Sequence, residues 1–223
     1  MRKLPLATLI LDHDLYPRTE INTTNVNYLR NAFISGVKLP PVIIDKKSKT
    51  VIDGFHRVTM YRKINDKMEI DVIEKSYKSK ADMFRDAMRA NSQHGVNLTR
   101  FDRTRCVLLG EQLNLTLDQI AADLAMTIDA VGALKTDRVG NLKTNGGIKI
   151  PLKKSILHMS GQTLTQQQYE ANRHLSGMSA MFHVNQLILL IESDLLDPAN
   201  TGLLSRLDYL CNLLNSTQLH TTQ

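Results

Sequence analysis

The stretch Val51-Ile52-Asp53-Gly54-Phe55-His56-Arg57 decides how this chain is read. Thr50-Val51-Ile52 is a β-branched run suited to a strand. His56 to Lys63 resumes a helical pattern directly after Gly54. Glycine at such a junction permits a tight turn and lets a ligand approach the backbone. The first N–H groups of the new helix have no intrahelical acceptor, so they point outward and attract an anion. His56 and Arg57 add side-chain donors, and a guanidinium fork matches phosphate oxygens. The pattern reads as a phosphate cradle. The competing reading is a plain strand-to-helix turn whose His and Arg satisfy nearby carbonyls.

Upstream, Pro40-Pro41 breaks the chain before Val42-Ile43-Ile44, a second β-branched run, and Asp45 to Lys49 is a polar turn joining it to the first. Residues 23–35 read as a helix with Thr24 or Asn25 as N-cap and Val26, Leu29, Ala32 and Phe33 on one face. Leu9-Ile10-Leu11 and Ile70 to Ile73 are strand candidates, and Lys80 to Asn91 is a helix with Met83, Phe84 and Met88 inward. From Leu98 the chain reads helical. Phe101 to Leu113 is one helix, followed by a closely spaced pair over 117–124 and 128–138. Asn145-Gly146-Gly147 marks a break, and 152–215 reads as helical again with a turn at Asp197 to Asn200. The expected class is α+β: a small α/β domain over 1–95 and an all-helical part, with a helix-turn-helix region at 96–145, C-terminal helices at 150–216 and a frayed tail at 217–223.

In the pair at 116–138, Ala121 is the small residue needed where two helices cross, Ile120, Leu124, Val131 and Leu134 face inward, Ala125-Met126 turns, and Thr116 and Thr127 are N-caps. Such an arrangement presents Thr127, Ile128, Asp129, Gly132, Ala133 and Thr136 to a major groove, with Arg100, Arg103, Arg105, Lys135, Arg138, Lys143 and Lys149 placed to hold phosphates around it. None of the groove-facing residues is suited to a bidentate base contact, so DNA binding is expected to rest on backbone and shape.

Three blocks, Leu15-Tyr16-Pro17-Arg18, Leu39 to Arg57 and Ala90 to Thr99, resemble in order the boxes of the ParB/sulfiredoxin superfamily. This superfamily covers chromosome-partition proteins, regulators, free-serine kinases and sulfiredoxins. The resemblance spans roughly residues 5–140. It implies a ParB-like N-terminal domain in front of the helix-turn-helix, DNA as partner, and a nucleotide, CTP or ATP, at Arg18, Gly54, His56, Arg57, Asn91 and His94. The departures narrow the activity. Phe55 stands where sulfiredoxins place their catalytic Cys, which excludes that chemistry. Partition proteins carry Gly-Glu-Arg-Arg where this chain has Gly54-Phe55-His56-Arg57, and of their Glu-Asn metal pair only Asn91 survives, so magnesium is poorly provided for and no metal site or catalytic residue is assigned. The resemblance to the kinases would make Glu20 a base in a nucleotide-dependent enzyme, the alternative function; a solvated surface Glu is the plainer reading. The main reading is a DNA-binding transcriptional regulator or partition-type factor; only sulfiredoxin chemistry is excluded, and enzymatic activity is otherwise left open.

The charge distribution agrees. Of the net +6, residues 1–95 carry an excess of six positive charges, 96–150 of one, and 151–223 carry one net negative charge. A basic front favours phosphates. The 42% hydrophobic content is ordinary for a globular protein, and no long apolar run suggests a leader or membrane span, so a cytoplasmic protein is expected. Cys106 and Cys211, without metal spacing, read as buried apolar residues. The apolar run over 164–196 reads as buried on several sides. Leu203, Leu207, Leu210 and Leu214, spaced 4-3-4, form a seam for a homodimer or for packing within the chain.

Overall fold

The computed structural model describes residues 2–93, 96–143 and 147–217. The chain divides into two compact units, Met1–Gly177 and Met178–Gln223. The first begins with a mixed four-stranded sheet. Strand β1 (Arg2–Pro5) lies antiparallel to β4 (Glu69–Lys75), β4 is parallel to β2 (Val42–Asp45), and β2 is antiparallel to β3 (Val51–Asp53). The order across the sheet is β1-β4-β2-β3. Alternation places Ile70 and Val72 of β4 inside. The β2–β3 turn is held by Asp45, whose Oδ2 accepts from the Ser48 backbone N–H at 2.7 Å and its hydroxyl at 2.8 Å.

Helices α1 (Thr23–Ile34) and α2 (Phe55–Ile64) cover this sheet, burying Val26, Val58 and Met60 with Ile44 and Val51. The cap of α1 is Asn22, whose side chain accepts from Asn25 N–H at 2.9 Å, rather than Thr24 or Asn25. The expected strand at Leu9 to Leu11 reduces to a single bridge between Ile10 and Thr50. A 3-10 turn at Leu6–Thr8 drops Leu9 into the core, and the pairing segment is instead Arg2–Pro5.

Helices α3 (Lys80–Gln93), α4 (Arg100–Gln112), α5 (Leu117–Leu124) and α6 (Ile128–Asp137) enclose a second core of Phe84, Met88, Val107, Ile120, Leu124 and Val131, into which the front domain inserts Leu15. Thr99 and Asp102 form a reciprocal capping box on α4, and Asp102 Oδ1 also accepts from the Thr19 N–H at 2.9 Å. One buried carboxylate thus ties the 12–20 loop to α4.

The expectation that the chain is helical from Leu98 onward, 152–215 included, does not hold. Strands β5 (Val139–Leu142), β6 (Ile148–Pro151) and β7 (Thr163–Leu164) form a three-stranded sheet, order β6-β5-β7, around Leu142, Ile150, Leu152 and Leu164. Gly140 allows this closeness, since a Cβ there would lie 2.7 Å from Leu164 Cδ1. Helix α7 (Gln166–His174) follows, with buried Asn172 accepting from Lys153 N–H at 2.9 Å and donating to the Pro151 carbonyl at 2.9 Å. The class remains α+β.

The second unit contains α8 (Ala180–Glu192) and α9 (Thr201–Ser216), capped by Ser179 and Asn200. Neither helix buries a side chain, so the apolar run over 180–191 is exposed rather than enclosed; Met181 is 67% and Leu189 54% exposed. For the same reason Cys211 is exposed, whereas Cys106 is buried, its thiol 3.3 Å from the Pro17 carbonyl and raised by burial above its ordinary pKa. Among the described residues no helix is long and apolar enough to cross a membrane.

Candidate phosphate cradle and nucleic-acid interface

β3 runs into Gly54 at φ +109, in the left-handed region, and α2 starts at the next residue with no side chain capping it. A Cβ at Gly54 would sit 3.0 Å from Val42 Cγ2, so the position needs glycine for both torsion and space. In front of this turn is a cavity of about 690 Å³ lined by Arg18, Gly54, His56, Arg57 and Asn91, five of the six residues the sequence places at a phosphate. The sixth, His94, lies outside the described residues.

The cations there are already engaged. Arg57 donates to the carbonyls of Pro40 at 2.6 Å and Pro41 at 2.8 Å and pairs with Asp53 at 2.6 Å. Arg18 donates to Asn91 Oδ1 at 3.2 Å and to the carbonyls of Asn97 and Val96. His56 accepts at Nε2 from the Asn22 backbone N–H at 3.2 Å. Burial, then the neighbouring Arg18, pushes its pKa down to about 4, so the ring is neutral at pH 7. The turn therefore presents the open α2 N-terminus and two guanidinium groups held by carbonyls, with no imidazolium beside them. Sequence reasoning gave no role to Tyr16. Its ring stacks on Phe55 at 4.2 Å, and its buried hydroxyl has no hydrogen-bond partner while the residue lines this cavity. Its place in the first sequence block was the available signal.

The one carboxylate among the cavity's described lining residues, Asp53, is committed to Arg57, and the Asn91 oxygen to Arg18. That donor set does not fit a magnesium ion. Glu20 is not among the lining residues; it is exposed and faces the Lys153 ammonium at 3.5 Å.

In the helical pair, Thr116 caps α5 in a reciprocal box with Gln119, and Thr127 caps α6 through Ala130 N–H at 3.2 Å. Ala125 takes a left-handed conformation at φ +52, and Met126 N–H bonds back to the Ala121 carbonyl at 2.9 Å, which turns the chain sharply. Ala121, Ile120, Leu124, Val131 and Leu134 are buried in the crossing. Thr127, Ile128, Asp129, Ala133 and Thr136 lie exposed, and Gly132 half-buried, on α6. Thr136 donates to the Asp137 carboxylate at 2.7 Å.

The surrounding cations differ in availability. Lys135 turns back to Glu111 at 2.5 Å. Arg100 is exposed, and Arg103 half-buried. Arg138 is half-buried with an unpartnered Nε, and burial and the adjacent Arg100 lower its pKa from the ordinary value. Asp123 on α5 was also missed. It is buried and accepts from Arg85 Nε and Arg89 Nε, each at 2.6 Å, which clamps α3 to the pair. Two arginines four apart on one helix face were the legible half of that clamp.

No family model and no curated protein matches the sequence. Solved structures are similar. The C-terminally truncated chromosome-partitioning protein ParB from Caulobacter crescentus complexed to the centromeric parS site aligns at TM-score 0.44 and 16% identity, over 60% of this chain and 70% of that one. The same protein complexed with CTP-γ-S aligns at TM-score 0.37 and 16% identity, over 60% and 75%. A pNOB8-like ParB N-domain aligns at TM-score 0.40 and 15% identity, over 67% of this chain and 56% of that one.

Proposed function

We propose that this chain is a ParB-like DNA-binding protein, a transcriptional regulator or partition-type factor working in the cytoplasm, in which α5 and α6 dock on duplex DNA. One observation carries this reading. Two capped helices cross on Ala121 through a left-handed turn, and the second leaves Thr127, Ile128, Asp129 and Ala133 exposed for a groove. Arg100, Arg103 and Arg138 supply phosphate contacts beside it, and Ile128 offers an apolar contact for a thymine methyl. The resemblance of the sequence blocks to partition proteins supports the same assignment. The cavity at Gly54 takes the phosphates of a nucleotide, CTP or ATP, on the α2 N-terminus and the Arg18 and Arg57 guanidinium groups. No hydrolysis is proposed there, since among the described residues no ligand set for a metal is at hand.

The protein acts as a homodimer joined through its second unit. A 46-residue unit whose described helices bury no side chain has too little core to hold itself together. Association with its own copy would cover the exposed Met181, Leu189, Leu204, Leu213 and Leu214, whereas Leu203, Leu207 and Leu210 of the 4-3-4 seam are already half-buried within the chain. Fluorescence anisotropy of labelled duplex DNA tests the main reading. Affinity falls steeply with added salt and is lost in Ala133→Glu, a change at an exposed position that leaves the fold intact. Salt-independent binding, or binding unaffected by Ala133→Glu, would refute it. Sedimentation tests the dimer: wild type sediments as a dimer and Leu189→Asp as a monomer, and a monomeric wild type at working concentration removes that part.

A further inference from the structure

We propose that the first unit carries a second anion site, for a phosphorylated small molecule, in the cavity bounded by α4, β6 and α7. The cavity measures about 900 Å³, within the range of ligand pockets. Among the described residues, Arg18, Arg105, Lys149, Lys153 and Arg173 line it against a single carboxylate, Glu20. It shares only Arg18 with the cradle at Gly54.

Two of these cations are incompletely partnered. Arg105 uses one terminal nitrogen on the His13 carbonyl at 2.9 Å, while its Nε is buried with no hydrogen-bond partner. A charged donor buried without an acceptor is costly and calls for one. Lys153 is only 9% exposed. Its ammonium reaches the Arg173 carbonyl at 3.3 Å and Glu20 at 3.5 Å, both long contacts, and lies 4.9 Å from the centre of the Phe101 ring. A buried lysine so loosely held gains from an anion beside it. Lys149 and Arg173 are exposed and add charge from β6 and α7. Leu108, Ile150 and Tyr169 give the cavity an apolar wall, which suits a ligand with a carbon body as well as phosphate. The excess of cations selects for more than one negative charge.

Calorimetric titration of the full chain with pyrophosphate, in low-salt buffer, tests the site. Saturable binding is expected. Arg105→Gln should weaken it about tenfold or more, as the loss of a charged hydrogen bond implies. The paired change Lys149→Ala with Arg173→Ala touches only exposed side chains and so separates lost binding from lost folding; it should weaken binding severalfold with thermal unfolding unchanged. Arg57→Ala, confined to the other cavity, should leave a saturable phase. Absence of saturable binding, binding indifferent to both the Arg105 and the paired variants, or loss of all binding in Arg57→Ala alone would each overturn the proposal.

Discussion

Replacing Asp123 by Ala should loosen the α5–α6 pair from α3, and the size of the effect follows from the exposures of its partners. The carboxylate is 1% exposed and accepts from Arg85 Nε at 2.6 Å, Arg85 Nη2 at 3.4 Å and Arg89 Nε at 2.6 Å. Removing one member of a buried pair costs about 3–5 kcal/mol when the other charge is stranded. Here neither arginine is fully stranded. Arg89, at 46% exposure, rehydrates, and its share shrinks to about 0.5 kcal/mol. Arg85, at 25%, rehydrates in part and keeps about 2 kcal/mol. The expected total is about 2.5 kcal/mol, or a fall in Tm of about 5–10 °C for a unit of this size. Asp123→Asn, which keeps an acceptor without the charge, should lose about half as much. The assay is denaturant and thermal unfolding of the two variants together with Arg85→Ala and Arg85→Ala/Asp123→Ala. The cycle should return a coupling of about 1–2 kcal/mol between Arg85 and Asp123. Additivity within about 0.5 kcal/mol would show that the two groups do not act on each other and would refute the clamp.

Three further outcomes follow from single positions. Gly132 lies on the half-buried side of α6, and a Cβ there meets nothing within 4 Å, so Gly132→Ala should raise stability by about 1 kcal/mol in thermal unfolding. Gly54→Ala places an alanine at φ +109 and within 3.0 Å of Val42 Cγ2; a loss of about 2–3 kcal/mol is expected by urea titration, and a neutral result would mean the turn relaxes. His56 titrates near 6.5 in the unfolded chain but at about 4 in the fold. Between those values the unfolded chain binds a proton that the native state does not, so stability drops as pH falls through that window. Discounted for partial exposure, the loss is about 1–2 kcal/mol. His56→Gln should abolish that part of the pH dependence in unfolding curves measured across it.

The elements around Gly54 were legible because local chemistry and tertiary demand agree there. The β-branched runs at 42–44 and 50–52, the polar turn between them and the helix after Gly54 all became β2, β3 and α2 within a residue or two. The helical pair at 117–138 was legible for the same reason: Thr116 and Thr127 cap, and the apolar stripes close on Ala121. Elsewhere the local signal was too short. Arg2–Pro5 is a charged edge strand with only Leu4 buried, and Leu9-Ile10-Leu11 looked the better strand although only Ile10 makes a bridge. The sheet at 139–164 is built from strands of two to four residues whose pairing is fixed by Gly140 and Leu164 meeting across β5 and β7, a long-range event no window of sequence contains.

What a pattern of residue types cannot state is how far each donor is already committed. His56 and Arg57 are both where a phosphate reading wants them, yet one is neutral and accepts from Asn22, and the other holds the Pro40 and Pro41 carbonyls and Asp53. An anion arriving at Gly54 must therefore compete with carbonyl partners for Arg57, and binding there would release the 40–41 segment from its guanidinium anchor. At Arg105, which the sequence offers only as a DNA-phosphate contact, and at Lys153, which no motif marks, the donors are buried and incompletely partnered. Affinity depends on the difference between what a donor gives a ligand and what it gives up. On that measure an anion at Gly54 gains less from Arg57 than the residue types alone suggest, because each contact it makes there replaces one to Pro40, Pro41 or Asp53.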